Sequence, residues 1–553
     1  MKKVIAIGLD AAEPRVLERW MAEGKLPHMQ KIRDEGVYTR LDNFEESSVE
    51  TSWTTFATGT VPNETGYYGP LVYSPDGYRM VTKAAYDYQE YPPFYALGDD
   101  YRVIAFDMPQ VRLNRKINGI QVAAWGAHSP QVEQGSLPEH VLGELHKKYG
   151  RHPALHRDYA CIGNFEKTME VQQWLQEGIR RRAQICLDFI NNEEWDLLMT
   201  VFGESHAAMH TCWHLSQEDH PLYQKFQEKL NGRDPMLESF QLMDQAIGDM
   251  RAAAPEDTQF IVYSLHGMGP AFMDLSTLVF LPEYLYRYNF PGEQALGDTR
   301  TARPADKEVI NYDFGFWERH IWNTKYEPNP IKRLLKRVLP NRAYMPIAEK
   351  IDPVTDSDLV SPFAMSELGE AVGWNPAHWY HRLWPRMKAF AIPTFGEGFV
   401  RLNVKGRDPN GIIEPEDFEK SCDDIIDMLM QITDVDDGDQ MVHRVVKTRT
   451  EAGHYTGKGH FADLIVLMKD KRPPSTVTHP ELGTIGPLPR YRSGTHRHTG
   501  LFLGCGSEIE AHMNIDGAHA VDVAPTILRL LGAPVPVHMD GRGCLHTKIR
   551  SSL

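Results

Sequence analysis

Short aliphatic or β-branched runs, each giving way to a helical period, recur along this chain and restrict its fold more than any other feature. VIAIGLD (4–10) precedes PRVLERWMAEGKL, and YRVIAFDMP lies at 101–109. WDLLMTVFG (195–203) precedes AAMHTCWHL, and TQFIVYSLHG spans 258–267. Alternation of this kind predicts an α/β fold, a mostly parallel sheet with helices on its faces. Ligands of such sheets sit outside the carboxyl ends of the strands. Asp10, Asp107, Glu204 and His266 all fall at or just after predicted strand ends, which gathers polar candidates on one edge.

At 553 residues the chain exceeds a single minimal core. Its character changes between 270 and 395, where aromatics, prolines and charges crowd together without clean periodicity, as in GWNPAHWYHRLWPRM. The expected organisation is an α/β core from 1–269 and 396–553, interrupted by an inserted cap or lid at 270–395. That insert would carry substrate contacts or serve as structural elaboration or an oligomer surface. After it come a strand and turn-rich loop, GFVRLNVKGRDPNGIIEP, and an amphipathic helix, DFEKSCDDIIDMLMQI. A buried strand, FADLIVLM, follows, and VDVAPTILRLLGAP closes the core as a helix stopped by Gly532 and Pro534.

Lys and Arg number 59 against 75 Asp and Glu, a formal charge of −16. That excess of acid disfavours a nucleic-acid or anionic-membrane partner. The basic stretch IKRLLKRVLPNR (331–342) reads as an amphipathic, solvated helix. The apolar run VIAIGL near the N-terminus is too short for a signal peptide and reads as a buried strand. No segment approaches the roughly 18 apolar residues of a membrane span. Six cysteines without a CxxC spacing read as free thiols in a reducing compartment, so the expectation is a cytoplasmic protein with a small-molecule substrate. A homo-oligomer is compatible with these features.

Several residues carry chemistry. His206 and His210 in FGESHAAMH are four apart and share a helix face, so they can grip one ion. Alone the pair says little, because a chain with 24 histidines contains such spacings by chance. His266 sits between SL and GMG at a strand end, where a core histidine is the ordinary alternative. His496 lies in GTHRH, in a turn between two strands, and Asp10 could simply cap the helix after it. Glu50 and Thr51 open the helix WTTFATG either as capping groups or as catalytic ones.

Taken in order, these fragments resemble the alkaline phosphatase superfamily, in particular its type I phosphodiesterase/nucleotide pyrophosphatase branch and related phosphohydrolases. VIAIGLD…EGKLPHMQKIRDEG resembles the family's opening strand and helix, and WTTFATGTVPNETG its nucleophile turn. INGIQVAAWGAHSP, GFVRLNVKGRDPNGII, SGTHRHTGLFLGCG and VDVAPTILRLLGAPVPVHMDGRG look like further family segments. The resemblance implies a central, mostly parallel sheet with helices on both faces and two divalent ions a few ångströms apart. One ion is held by an Asp-x3-His pair and a distant His; the other by the first-strand Asp, a Thr or Ser nucleophile, and the Asp-His of a DHG turn. Carried over by position, Asp10 matches the first-strand acid, His210 the histidine of the Asp-x3-His pair, His266 the turn histidine and His496 the late one.

Three departures alter the chemistry. His206 stands in place of the acid of the first pair, Leu265 in place of the acid before His266, and Val49 at the ungapped nucleophile position. The histidine that often follows the family's TG-x-x-P is also missing, since Thr65 precedes Gly66. Three neutral imidazoles, His206, His210 and His496, still make a sound catalytic metal set and leave the ion a stronger Lewis acid. Asp10 and His266 would hold a second ion if Glu50 supplies the missing charge, and Thr51 would be the nucleophile if the turn is shifted by two residues. Otherwise the site is mononuclear, or no hydroxyl is placed for attack.

The expectation is a metal-dependent hydrolase of a phosphodiester or related phosphate ester, with one or two ions, zinc first and iron or manganese as alternatives. A second reading keeps the fold and the three-His site but assigns a lyase, isomerase or oxidative reaction. A third, a non-catalytic binding protein, conflicts with the retained imidazoles.

Overall fold

The computed structural model describes residues 2–545 apart from 86–90, 127, 129–131, 298–316, 323, 327–329, 340–358, 368, 370–371, 454–457 and 516. Much of the expected insert, above all 298–316 and 340–358, lies outside the described residues, as does the end of the basic stretch.

The run VIAIGL forms β1 (Val4–Leu9), with every residue buried. In chain order its sheet partners are β2 (Val37–Leu41), β3 (Gly98–Phe106), β4 (Ile117–Ala123), β5 (Gly135–Leu137), β6 (Leu197–Phe202), β7 (Gln259–Ser264) and β8 (Gly500–Cys505). They form one sheet in the order β2-β8-β7-β1-β6-β3-β4-β5. The five strands from β7 to β4 run parallel. β8 is antiparallel to β7 and β2, and β5 to β4.

Side chains alternate across β1, so Ile5, Ile7 and Leu9 enter one apolar cluster while Val4 and Ala6 enter another. The helices that cover these faces include α1 (Pro14–Ala22), α2 (Thr51–Thr58), α3 (Phe165–Asn192), α4 (Gly203–Ser216), α5 (Pro235–Ala253) and α6 (Val523–Leu531). Leu17, Ile185, Met209 and Met243 of α1, α3, α4 and α5 fill the first cluster; Trp53, Phe56 and Ile527 of α2 and α6 fill the second. Parallel strands buried on both faces explain why their sequences read as continuous apolar runs. The fold has the expected α/β class. As expected, α6 ends at Gly532, in the left-handed region at φ 78°.

A third cluster surrounds a separate four-stranded antiparallel sheet of Ala389–Ile392, Gly398–Leu402, Leu464–Met468 and Val442–Lys447, in that order. Trp379, Trp384, Phe390, Val400 and Val466 pack there with Leu278 and Leu285. The strands within GFVRLNVKG and FADLIVLM, expected in the core resuming at 396, pair in this sheet instead, and the chain rejoins the central sheet only at β8. A short apolar run fits either sheet, and its composition does not name the partner strand.

The basic stretch lies in a helix, Pro330–Val338, with Ile331, Leu334 and Val338 exposed. Among the described residues no helix is long and apolar enough to cross a membrane. All six cysteines are free and buried.

Candidate active site

Strand register carries the expected residues to one edge. Leu9 pairs with Phe202 of β6, and Gly8 with Tyr263 of β7, so Asp10, the start of α4 and the Leu265–His266 turn leave from adjacent strand ends. Ser205 Oγ lies 2.6 Å from the Asp10 carbonyl and 2.7 Å from that of Phe202, which ties α4 to β1. His496 lies not in a turn but in the strand Gly494–Arg497, where it opposes Met268 of the strand Gly267–Pro270. A Cβ on Gly494 would stand 2.6 Å from the Met209 carbonyl oxygen, so a glycine lets this strand close on α4. Ala11, Asp107 and Ala124 take φ of 56°, 61° and 55° just beyond β1, β3 and β4. Non-glycine residues seldom adopt such angles, and three at one sheet edge mark backbone held against its preference.

His206, His210, His266 and His496 come together there. Ring centroids are 4.7 Å apart for His206 and His210, 4.8 Å from each of these to His496, and 5.1 Å from His266 to His496. His206 Nδ1 lies 2.9 Å from Asp10 Oδ2, and His210 Nδ1 donates to the Gly494 carbonyl at 2.8 Å. Occupying Nδ1 in this way leaves each Nε2 with its lone pair. Asp10 Oδ1 accepts from Trp53 Nε1 at 3.1 Å and stands 3.7 Å from His266 Nε2.

Among the described residues, both nitrogens of His266, Nδ1 of His496, and one carboxylate oxygen each of Glu50 and Glu397 are buried without a hydrogen-bond partner. Orphaned buried polar atoms are costly and call for a missing partner. Burial raises the Asp10 carboxyl, but the His206 imidazole beside it outweighs that and holds it at about 2. Burial lowers His206 to about 4 and drives His210 and His496 well below the ordinary histidine range. An anionic carboxylate among neutral imidazoles fits a divalent ion. Among the described residues, two groups have donor atoms within 4.8 Å of one another: Asp10, His206 and His266, and His128, His206 and His210.

These residues floor a cavity of about 470 Å³. Glu50 lines it, and burial raises its carboxyl to about 7, against its own backbone amide and with help from Glu397. Glu50 heads α2 without a side-chain capping bond. Thr51 is buried outside the cavity lining, its Oγ1 2.9 Å from Ser47 Oγ, and Val49 is buried as well.

Sequence reasoning missed several residues of the site. Arg492 is gripped by Asp274 at 3.2 and 3.0 Å, and its remaining nitrogen donates to His210 Nε2 at 3.3 Å. His128 stacks on His206 with centroids 3.9 Å apart, and Asp158 and Tyr159 flank it. His128 lies in AAWGAHSP, a family-like segment whose histidine could have been flagged; nothing in sequence marks Tyr159. Trp374 and Phe395, which also line the cavity, stack with ring centroids 5.2 Å apart.

A family model described as Type I phosphodiesterase / nucleotide pyrophosphatase matches residues 4–329. No curated protein matches the chain in sequence. Among solved structures, phosphonoacetate hydrolase from Sinorhizobium meliloti 1021 in complex with phosphonoformate is 12% identical, with 96% of this chain and 95% of that chain covered and a TM-score of 0.46. Human ectonucleotide pyrophosphatase/phosphodiesterase 5 is 10% identical, with 98% and 97% covered and a TM-score of 0.47.

Proposed function

We propose that this chain, which belongs to the type I phosphodiesterase/nucleotide pyrophosphatase family, hydrolyses a phosphodiester or related phosphate ester of a small molecule with the help of a divalent metal. The observation that carries this reading is the meeting of Asp10 with four buried imidazoles, some of their nitrogens unsatisfied, beneath a cavity that also holds a guanidinium. His206, His210 and His496 would hold one ion. Asp10 and His266, joined by Glu50, would hold a second. Zinc is the first choice, with iron or manganese as alternatives. When bound, such an ion supplies electrophilic stabilisation of charge on the phosphoryl oxygens.

The chain's own residues supply the rest. Arg492 is fixed by Asp274, and an ion that took the lone pair of His210 Nε2 would release the guanidinium nitrogen now resting there to a phosphate oxygen. Trp374 and Phe395 give the ester group an apolar wall. Val49 brings no hydroxyl, and that of Thr51 is engaged by Ser47, which favours direct attack by water. Thr51 as nucleophile would require the start of α2 to turn inward. Six buried free thiols and the charge of −16 support a cytoplasmic location and a substrate that is neither nucleic acid nor membrane.

The imidazole-rich donor set, with Leu265 in place of an acid, favours a second reading, a non-hydrolytic metalloenzyme on the same fold. Protein purified without added metal, analysed for metal content and assayed on bis(p-nitrophenyl) phosphate, separates the two. The proposal expects zinc and nitrophenolate release that chelator abolishes and zinc restores. One equivalent of iron with no hydrolysis would overturn it in favour of the second reading.

A further inference from the structure

The helix Pro330–Val338 leaves an apolar row uncovered. Ile331, Leu334, Leu335 and Val338 are 70%, 60%, 39% and 64% exposed. The other large apolar side chains as exposed among the described residues, Val81, Val435 and Val537, are scattered along the chain. Concentration in one helix is therefore the unusual feature. The preceding helix, Trp317–Trp322, buries Trp317, Ile321 and Trp322 in the cluster around the antiparallel sheet. The insert thus covers apolar side chains nearby and leaves these four out. Their spacing, i, i+3, i+4 and i+7, sets them on one arc of a helix that turns about 100° per residue. Lys332, Arg333, Lys336 and Arg337 take the positions around the rest, and no acid occurs between Pro330 and Leu339.

We propose that this helix is a docking surface for an anionic lipid bilayer. It would lie along the bilayer, with its aliphatic row among the acyl chains and its basic positions level with the phosphate headgroups. Charge and composition favour lipid over a protein partner. Protein interfaces are anchored by aromatic residues, and this row has none, whereas an aliphatic arc bounded by Lys and Arg alone matches an interfacial helix. At nine residues the helix is about 14 Å long, enough to lie on a bilayer and too short to cross it. The net charge of −16 does not forbid contact, because salt screens charges beyond about 10 Å and the docking face decides. Attachment is separate from catalysis: no residue of this helix lines the catalytic cavity, and the proposed ester substrate remains a small molecule.

The test is co-sedimentation of the full chain with vesicles of phosphatidylcholine, alone or mixed equally with phosphatidylglycerol. The wild type should bind the mixed vesicles at least about tenfold more tightly than the neutral ones, and about 1 M salt should release it. Leu334→Glu should weaken binding about tenfold or more, and so should Lys336→Glu combined with Arg337→Glu. Circular dichroism and the thermal midpoint of these variants should stay those of the wild type, because the substitutions lie on an exposed helix. Arg337→Lys, which keeps the charge, should bind as the wild type does. Equal binding to both kinds of vesicle, or charge-reversed variants that bind as tightly as the wild type, would overturn the proposal. Failure to bind any vesicle would overturn it as well, and a dimer that Leu334→Glu splits would then assign the face to a second copy of the chain.

Discussion

Asp10 is asked to do two things at once: it accepts from His206 and Trp53 while standing 3.7 Å from His266, whose nitrogens have no hydrogen-bond partner among the described residues. Such a carboxylate orients one neighbour and remains available to a cation beside the other. Thr51 is the opposite case, a hydroxyl already satisfied inside the fold. Thr51→Ala should therefore cost about 1 kcal/mol of stability through its lost bond to Ser47. Turnover should stay within about threefold of the wild type, and a loss of two or more orders of magnitude would show that α2 does bring the hydroxyl inward. Asp10, His206, His210, His266 and His496 were readable because each sits in a short family-like motif at a strand end or on one helix face. Tyr159 was not, because it lies in a loop without periodicity, and only folding sets it beside His128. Arg492 was passed over four residues before His496, since an arginine in a loop is usually solvated and its role depends on the distant Asp274.

α3, α4 and the end of β3 are locked by a buried charge network that the sequence marked only as acids at strand ends. Arg182 has no exposed surface in its side chain; it donates to Asp107 at 2.8 Å and to both oxygens of Glu204 at 3.1 Å. Asp107 also accepts from the backbone amides of Trp125 and Gly126, which begin the loop carrying His128, and His152 pairs with Glu204 at 3.0 Å. Asp107 and Glu204 thus hold the site's frame and do not line its cavity. Arg182→Met should cost about 3–5 kcal/mol in urea unfolding, because two carboxylates stay buried without their cation. A cost below about 1 kcal/mol would mean that water or His152 replaces the guanidinium. Elements buried on both faces, such as β1 and β6, announced themselves by their unbroken apolar runs. The antiparallel sheet at 389–468 did not, because its joining pair, Gly398–Leu402 with Leu464–Met468, brings together partners 64 to 68 residues apart and leaves no local pattern.

At the scale of the molecule, burial of neutral histidine is one pH-sensitive feature of the described residues. Burial holds His214, His378 and His460, none of them a candidate ligand, at about 3. Each would return to about 6.5 on unfolding, so the unfolded chain binds protons that the folded one refuses. Their contribution is fully present above about pH 6.5 and is lost as pH falls toward 3, by up to about 1.4 kcal/mol per group per unit. The thermal midpoint should accordingly fall from pH 7.5 to 5.5, and less steeply in His214→Phe; a flat profile would contradict this. The central claim concerns the cluster of imidazoles, and metal stoichiometry of gently purified protein, by mass spectrometry, tests it most directly. Wild type should retain one or two equivalents of a divalent ion, and His210→Ala and His496→Ala should each lose at least one while keeping the wild-type fold by circular dichroism. Equal metal content in wild type and both variants, or none in any of them, would contradict it.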